Sequence, residues 1–170
     1  MDVLDAIKTR RSIRNYENRP VEKKKLLSVL EAARLSPSAT NGQPWSFIVV
    51  TDPEVKESLR SSYSRDWFVC APVIVVACAI PDEAWVRHDG EEYWKVDVTI
   101  AMQDLVLAAW EEGLGTCWIG AFKEEEAKRA LGIPGSVRVV AMTPLGYPAE
   151  EKGPVTDRKA LREIVHYDRW

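Results

Sequence analysis

KVDVTIAMQDLVLAAWEE, residues 95–112, forms the longest helical pattern in this chain and is apolar on nearly every side. Its apolar positions point in many directions around the predicted helix axis: Val96, Val98, Ile100, Ala101, Leu105, Leu107, Ala108 and Trp110. A surface helix keeps one polar face, so this pattern indicates burial on several sides. Gly113 follows and is a typical helix terminator. Because a chain of 170 residues can supply such burial most easily through a second copy, we predict a homodimer.

The segments around this helix predict an α+β domain. Helical periodicity and capping residues mark four further helices, and runs of β-branched residues mark three strands. The predicted helices cover 2–9, 21–35, 52–63 and 123–132, and the predicted strands cover 45–52, 72–79 and 137–147. Helices and strands do not alternate regularly, which favours α+β over a doubly wound parallel fold. We expect one domain over residues 1–170, with an irregular, exposed segment at 81–94.

Composition argues against several classes of function. The chain carries a net charge of −3 and has an isoelectric point near 5.5, so nucleic acid is not the expected partner. The longest apolar run, Val69–Ile80, is too short to span a membrane, and the acidic N-terminal residues do not resemble a signal peptide. Three cysteines without a CxxC pair and only two histidines argue against a disulfide framework and against a metal centre. We therefore expect a cytoplasmic protein.

TRRSIRNY, residues 9–16, concentrates positive charge at the end of the first predicted helix. The guanidinium groups of Arg10, Arg11 and Arg14 can fork around phosphate oxygens, and Ser12 can complete such a cradle. The helix dipole also favours cations at a helix C-terminus, and this accounts for one or two of them without any ligand. The residues alone leave both interpretations open, an anion site or a charged helix end.

SPSATNGQPW, residues 36–45, lies between a predicted helix and a predicted strand. Ser38, Thr40, Asn41 and Gln43 offer groups that both donate and accept hydrogen bonds, as recognition of the edge of a heterocycle requires. An ordinary polar loop is the alternative interpretation of the same composition.

GLGTCWIGAF, residues 113–122, is rich in glycine but is not a dinucleotide fingerprint, because a helix precedes it where a strand is required. Glycines in this position most often only terminate the helix, although Gly120 would allow a ligand to approach the backbone closely. Arg158 and Lys159 in the tail are by themselves ordinary surface charges. The chain has no GxSxG, HExxH or GxxxxGK[ST] motif, so hydrolase, zinc-protease and P-loop functions lack their signatures.

Taken in order along the chain, four segments resemble the flavin-dependent nitroreductase family. RRSIRNY is similar to its N-terminal phosphate motif and SPSATNGQPWSFIVV to its second motif. DVTIAMQDLVLAAWEEGLGTCWIGAF is similar to its central helix and flavin loop, and PLGYP to the end of its last core strand. The resemblance implies a three-layer α+β sandwich with a central, mostly antiparallel sheet flanked by helices. It also implies an intertwined homodimer with FMN at the subunit interface.

The resemblance implies roles for individual residues. Those that would hold the FMN phosphate are Arg10, Arg11, Ser12, Arg158 and Lys159. Those that would line the isoalloxazine, contributed by the partner subunit, are Pro37, Ser38, Ala39, Asn41 and Gln43. Arg14 would reach the pyrimidine end of the flavin, and Ile119 and Gly120 would face flavin N5. The tail, about residues 155–170, would wrap onto the partner.

The activity implied by the resemblance is that of an NAD(P)H-dependent oxidoreductase. The flavin would carry the hydride from NADH or NADPH to an electron-poor acceptor, such as a nitroaromatic or a quinone, by a ping-pong mechanism. No catalytic acid, base or nucleophile of the protein is then expected. Residues 81–95 are the main candidate for a lid. Two alternatives stay open: a non-catalytic flavin-binding or flavin-sensing protein, and a same-fold enzyme with other flavin chemistry, such as a reductive dehalogenase or a flavin-fragmenting enzyme.

Overall fold

An antiparallel sheet of four strands forms the middle of the fold, which a computed structural model describes for all 170 residues. The strands are β1 Trp45–Val50, β2 Val73–Ala79, β3 Gly115–Thr116 and β4 Arg138–Gly146. The helices are α1 Val3–Thr9, α2 Lys23–Arg34, α3 Pro53–Ser58, α4 Asp66–Val69, α5 Trp94–Glu111 and α6 Glu124–Leu131. Short 3₁₀ turns lie at Ala39–Asn41, Leu59–Ser61, Pro81–Glu83 and Leu161–Glu163.

The strands lie in the order β1-β2-β4-β3, and every neighbouring pair is antiparallel. All seven residues of β2 are buried, because side chains of a strand alternate between two faces and helices cover both faces here. Val73 and Val75 point toward α2 and α5, whereas Ile74 and Val76 point toward the opposite layer. This double burial explains why β2 is a continuous apolar run instead of an alternating one.

The helices form one layer on each side of the sheet. On one face, Val29 of α2 and Met102 of α5 belong to the same buried cluster as β2. On the other face, the second cluster includes Phe68 of α4, Ala127 of α6 and Leu59, which follows α3. The predicted three-layer α+β sandwich with an antiparallel sheet is confirmed.

α5 is buried by its own chain on part of its circumference only. Eight of its residues are buried, among them Val98 and Leu105. Val96 is 41% exposed, and Ile100, Leu107 and Trp110 are only partly covered. The single chain thus leaves an apolar strip of α5 accessible. Gly113 ends the helix with a positive φ of 76°, as glycine allows.

Local signals in the sequence mark most element ends correctly. The Asp2 side chain accepts a hydrogen bond from the Asp5 amide at the start of α1, and Asp52 caps α3 in the same way. Gly132 ends α6 in the left-handed conformation. The helix predicted over 52–63 is shorter, because α3 gives way to a 3₁₀ turn after Ser58. The two-residue β3 and the single turn of α4 carry too few residues to produce a period, and the sequence did not predict them.

None of the helices combines the length and the apolar character that a membrane crossing requires. The three cysteines are free thiols, and no cluster of potential metal ligands is present among the 170 residues.

Candidate functional site

The arginine-rich segment after α1 lies along the edge of the sheet. Arg10 ends the helix with extended backbone angles, φ −55° and ψ 133°. Ser12 forms a parallel bridge with Thr116 of β3, and the Ile13 amide donates to the Thr116 carbonyl at 2.8 Å. Ile13 is only 1% exposed, so its side chain fixes the segment to the core. The arginines on both sides of Ile13 are therefore held by a buried anchor.

Glycine at position 115 makes this arrangement sterically possible. A Cβ atom built on Gly115 would lie 2.7 Å from Cγ1 and 2.8 Å from Cβ of Ile13, closer than real contacts allow. The backbone of β3 and the arginine segment can approach this closely only because position 115 has no side chain. The sequence offered Gly115 only as one of several glycines after a helix.

A cavity of about 440 Å³ brings together cations from the two ends of the chain. Its lining residues are Ile7, Lys8, Arg10, Pro154, Val155 and Arg158. Three of the six are cationic and none is acidic, so the cavity suits an anion of more than one charge. Arg10 and Arg158, which the resemblance placed together, share this cavity. Lys8 is a third cation that sequence reasoning did not single out.

The pKa of the Cys117 thiol depends on charged groups near the arginine segment, Arg14 among them. Burial raises the pKa of its thiol, while the positive charges of Arg14, Lys152 and Arg10 and a hydrogen bond from Ser12 act in the opposite direction. Three cations and one hydroxyl group of this region thus favour the charged form of the Cys117 thiol. Lys152 is one of these cations, although no sequence motif includes it.

Glu150 and Lys152 fasten the arginine segment from the C-terminal side. The Arg14 amide donates to Glu150 Oε1 at 2.7 Å, and Lys152 Nζ donates to the Ser12 carbonyl at 2.7 Å. The hydrogen bond from the Arg14 amide is the main reason why the pKa of Glu150 lies below its ordinary value, and Lys152 adds to the effect. The guanidinium of Arg14 forms no salt bridge with any carboxylate of the chain and lies 5.8 Å from the Trp67 ring centre. It is therefore free to bind an anion or a polar ligand edge.

The loop after α2 has an uncommon backbone. Thr40, Asn41 and Gln43 all have positive φ, at 52°, 59° and 51°. Within the loop, Ser38 Oγ accepts a hydrogen bond from the Gln43 amide at 2.9 Å, so this predicted ligand has an internal role. The Gln43 side-chain amide donates to the Asn41 carbonyl at 3.1 Å. The Asn41 side chain is exposed and forms no hydrogen bond within the chain.

Helix α5 holds this loop at two points. The Ala39 amide donates to Asp97 Oδ1 at 3.0 Å, and Ser36 Oγ donates to Asp104 Oδ2 at 2.6 Å. Asp97 is only 1% exposed, and its Oδ2 accepts no hydrogen bond from the chain. The apolar pattern of the helix did not indicate a role for either carboxyl group.

The two residues predicted at flavin N5 differ in what their backbone offers. Both the amide and the carbonyl of Ile119 pair with Met142, and the Ile119 side chain is buried in the core. Gly120 is exposed, and its amide donates to no acceptor in the chain. A Cβ on Gly120 would meet only Trp118 Nε1, at 3.9 Å. Of the pair, Gly120 alone has an available N–H group.

The remaining predicted residues lie apart from one another within one chain. Arg11 is half-buried without a salt bridge, and Lys159 and Pro37 are exposed. No hydrogen bond or salt bridge joins the loop at 37–43 to the segment at 10–14. The chain by itself therefore holds the predicted residues in two separate groups, which we call half-sites.

The segment proposed as a lid, residues 81–95, has more structure than the sequence predicted. After the 3₁₀ turn, Val86 and Glu92 form a bridge, and Arg87 pairs with Asp89 at 2.7 Å. The Trp85 and Tyr93 rings pack edge to face with centres 4.9 Å apart. The segment is thus a small turn that the backbone bridge and the aromatic pair hold together, and its tip is exposed.

Comparison with known proteins agrees with this architecture. The family model described as "Nitroreductase family" matches residues 7–70 and 60–147. A protein from Methanothermobacter thermautotrophicus, provisionally named NADH dehydrogenase/NAD(P)H nitroreductase, is 38% identical over 100% of this chain and 88% of its own length.

Solved structures are similar over the whole chain. The crystal structure of a nitroreductase family protein from Clostridium difficile 630 has a TM-score of 0.90 at 30% identity and covers 100% of both chains. An FMN-dependent nitroreductase from Clostridium difficile R20291 has a TM-score of 0.85 at 31% identity, over 99% of this chain and 100% of its own. The chain thus shares its fold with a class of α+β flavoenzymes. The chain belongs to the nitroreductase family.

Proposed function

We propose that this protein is an FMN-dependent oxidoreductase that passes hydride from NADH or NADPH to an electron-poor acceptor, such as a nitroaromatic or a quinone, by a ping-pong mechanism. The cationic cavity is the observation that carries this proposal, because Lys8, Arg10 and Arg158 meet there without a carboxylate. A phosphate monoester bears up to two negative charges, and guanidinium groups bind its oxygens in pairs. The residues present therefore fit the phosphate end of FMN.

The protein's part in the reaction is to bind and orient. When bound, the flavin supplies the hydride chemistry at N5. The Gly120 amide is free to donate a hydrogen bond to a ring nitrogen, and its lack of a side chain permits close approach. The unpaired guanidinium of Arg14 would stabilise negative charge at the pyrimidine end. Ser12 and Arg11 would complete the phosphate cradle, with Lys159 at its edge.

The second half-site would come from a second copy of the chain. Asn41 and Gln43 stand in a loop that no hydrogen bond or salt bridge joins to the arginine segment of the same chain, as a site between two subunits requires. Pro37, Ser38 and Ala39 would complete this wall.

A single domain over 1–170 with a wrapping tail agrees with the exposed apolar residues. Val96 lies on the accessible strip of α5, and Leu161, Ile164 and Trp170 of the tail are exposed in the single chain. Exposed apolar patches of this kind mark interaction surfaces. We propose a homodimer in which the tail, about 155–170, lies on the partner. The three free thiols are compatible with the reducing cytoplasm, where we place the protein.

Turnover tests the proposal against simple flavin binding. FMN-loaded protein should oxidise NADH or NADPH many times in the presence of a quinone or a nitroaromatic under anaerobic conditions. A flavin-binding or flavin-sensing protein would hold FMN with no such turnover. Size-exclusion chromatography with light scattering should give twice the chain mass of 19.2 kDa. Binding without turnover would overturn the proposed activity, and a monomer would overturn the shared site.

A further inference from the structure

Asp97 is a buried carboxyl group inside an otherwise apolar helix. Its immediate neighbour Val98 and the residue one turn later, Ala101, belong to the main core cluster. Only one of its two oxygens accepts a hydrogen bond, and Oδ2 is buried without one. A buried polar atom without a partner destabilises the folded state, and an apolar residue of similar size would avoid this penalty. Within the chain, the one hydrogen bond of the Asp97 side chain is therefore made by Oδ1.

Oδ1 accepts its hydrogen bond from Ala39, the first residue of the strained loop. Thr40, Asn41 and Gln43 all take left-handed backbone angles, which residues with a side chain adopt at a cost. Such strain persists only where the surroundings hold it in place. The loop's own contacts include the Ser38–Gln43 hydrogen bond, and the Asp97–Ala39 bond ties the loop to the rigid helix. The carboxyl group stands next to the residues whose conformation needs support.

We propose that Asp97 is a positioning residue that holds the Ala39–Gln43 loop in its left-handed form, and thereby presents Asn41 and Gln43 to the flavin. The inference rests on the proposed function for its ligand. Asp104 provides the natural comparison, since it lies two helical turns further along α5 on the same face. It binds Ser36, which precedes the strained residues. Loss of the Asp104 bond should leave the left-handed residues supported.

The first test compares three single variants for FMN affinity, measured by quenching of flavin fluorescence. Asp97→Leu removes the acceptor and should weaken binding about tenfold or more, as expected for loss of a hydrogen bond to a charged group. Asp97→Asn keeps an acceptor oxygen toward Ala39 and should stay within about threefold of the parent. Asp104→Leu, which removes the acceptor of the Ser36 hydroxyl, should also stay near the parent. Equal losses in Asp97→Leu and Asp97→Asn, or no loss in either, would overturn the proposal.

A second variant separates positioning from general destabilisation. Thr40→Gly removes the backbone cost at φ 52° without changing any residue that the resemblance places at the flavin. Combined with Asp97→Leu it should restore a large part of the lost affinity, whereas in the parent it should change affinity little. No recovery in the double variant would contradict the loop mechanism. If Asp97→Leu does not fold, Asp97→Ala removes the same acceptor with a smaller side chain and should give the same loss and the same recovery.

Hydrogen exchange provides a readout that does not depend on flavin. The amides of Asn41, Gly42 and Gln43 are hydrogen-bonded within the loop and should exchange faster in apo Asp97→Leu than in apo Asp97→Asn. This comparison holds even if the parent binds no FMN, so failure of the proposed function is distinguishable from failure of the inference. Equal exchange in the two variants would contradict the role of Asp97.

Discussion

Substitution of Gly115 by alanine should damage the phosphate half-site from inside the core. The new Cβ would lie 2.7 Å and 2.8 Å from two atoms of Ile13, a side chain that is 1% exposed and has no space to retreat. Overpacking of this kind costs about 1–3 kcal/mol of unfolding free energy. For a chain of this length each kcal/mol corresponds to about 2–4 °C in melting temperature. Because Ile13 lies between Arg11 and Arg14, relief of the clash should also displace the arginines and weaken FMN binding several-fold.

The assay is thermal or urea unfolding together with an FMN titration. Gly135→Ala is the matched control, since nothing lies within 4 Å of a Cβ at that position and its φ is not positive. This control should match the parent in affinity and stability. Ile13→Ala removes Cγ1, at 2.7 Å, and Cγ2, at 3.1 Å, but keeps Cβ at 2.8 Å. The double variant with Gly115→Ala should therefore show a partial, favourable coupling on the order of 1 kcal/mol. Gly115→Ala with parental stability and parental FMN affinity would refute the packing argument.

Three further predictions concern charge at the site. Arg10→Ala should weaken FMN binding by about 1.5–3 kcal/mol without unfolding the protein. Lys24→Ala removes an exposed cation of α2 and should leave FMN binding unchanged. Equal affinities of the two variants in an FMN titration would remove Arg10 from the site. Asn41→Asp should make the bound flavin harder to reduce in a potentiometric titration, and an unchanged potential would place Asn41 away from the pyrimidine ring. The pKa of Glu150 lies below its ordinary value of 4.5, so its carboxylate stabilises the folded chain at pH values above 4.5. This contribution is lost as the pH falls below 4.5. Melting temperatures from pH 7 to pH 3 should therefore fall more steeply in the parent than in Glu150→Gln, and parallel curves would contradict the role of Glu150.

Local patterns were sufficient to predict most of the secondary structure and the α+β class, but not the short elements β3 and α4. The apolar run of β2, the capping by Asp2 and Asp52 and the glycine after α5 each act over a few residues, so the sequence displays them directly. The apolar pattern of helix α5 also predicts contact with a second copy of the chain. Its partly covered residues, such as Val96 and Ile100, are those that the single chain does not bury.

The candidate site was less accessible from the sequence. Arg10 and Arg158 line one cavity. Only the family resemblance, and no pattern in the residues themselves, predicted that they lie together. Lys8, Lys152 and Asp97 were missed because their environment depends on contacts between distant segments. A lysine in a short helix and an aspartate in a core helix look like ordinary residues until the fold shows what they contact.

The most direct measurement is the visible absorption spectrum of the purified, FMN-reconstituted protein during anaerobic addition of NADH and then NADPH. We expect the protein to retain flavin and the visible absorption band of the oxidised flavin to bleach with at least one donor. Retained flavin that stays oxidised with both donors would contradict the oxidoreductase function and leave a binding protein. A protein that retains no flavin would contradict the assignment of the cationic cavity itself.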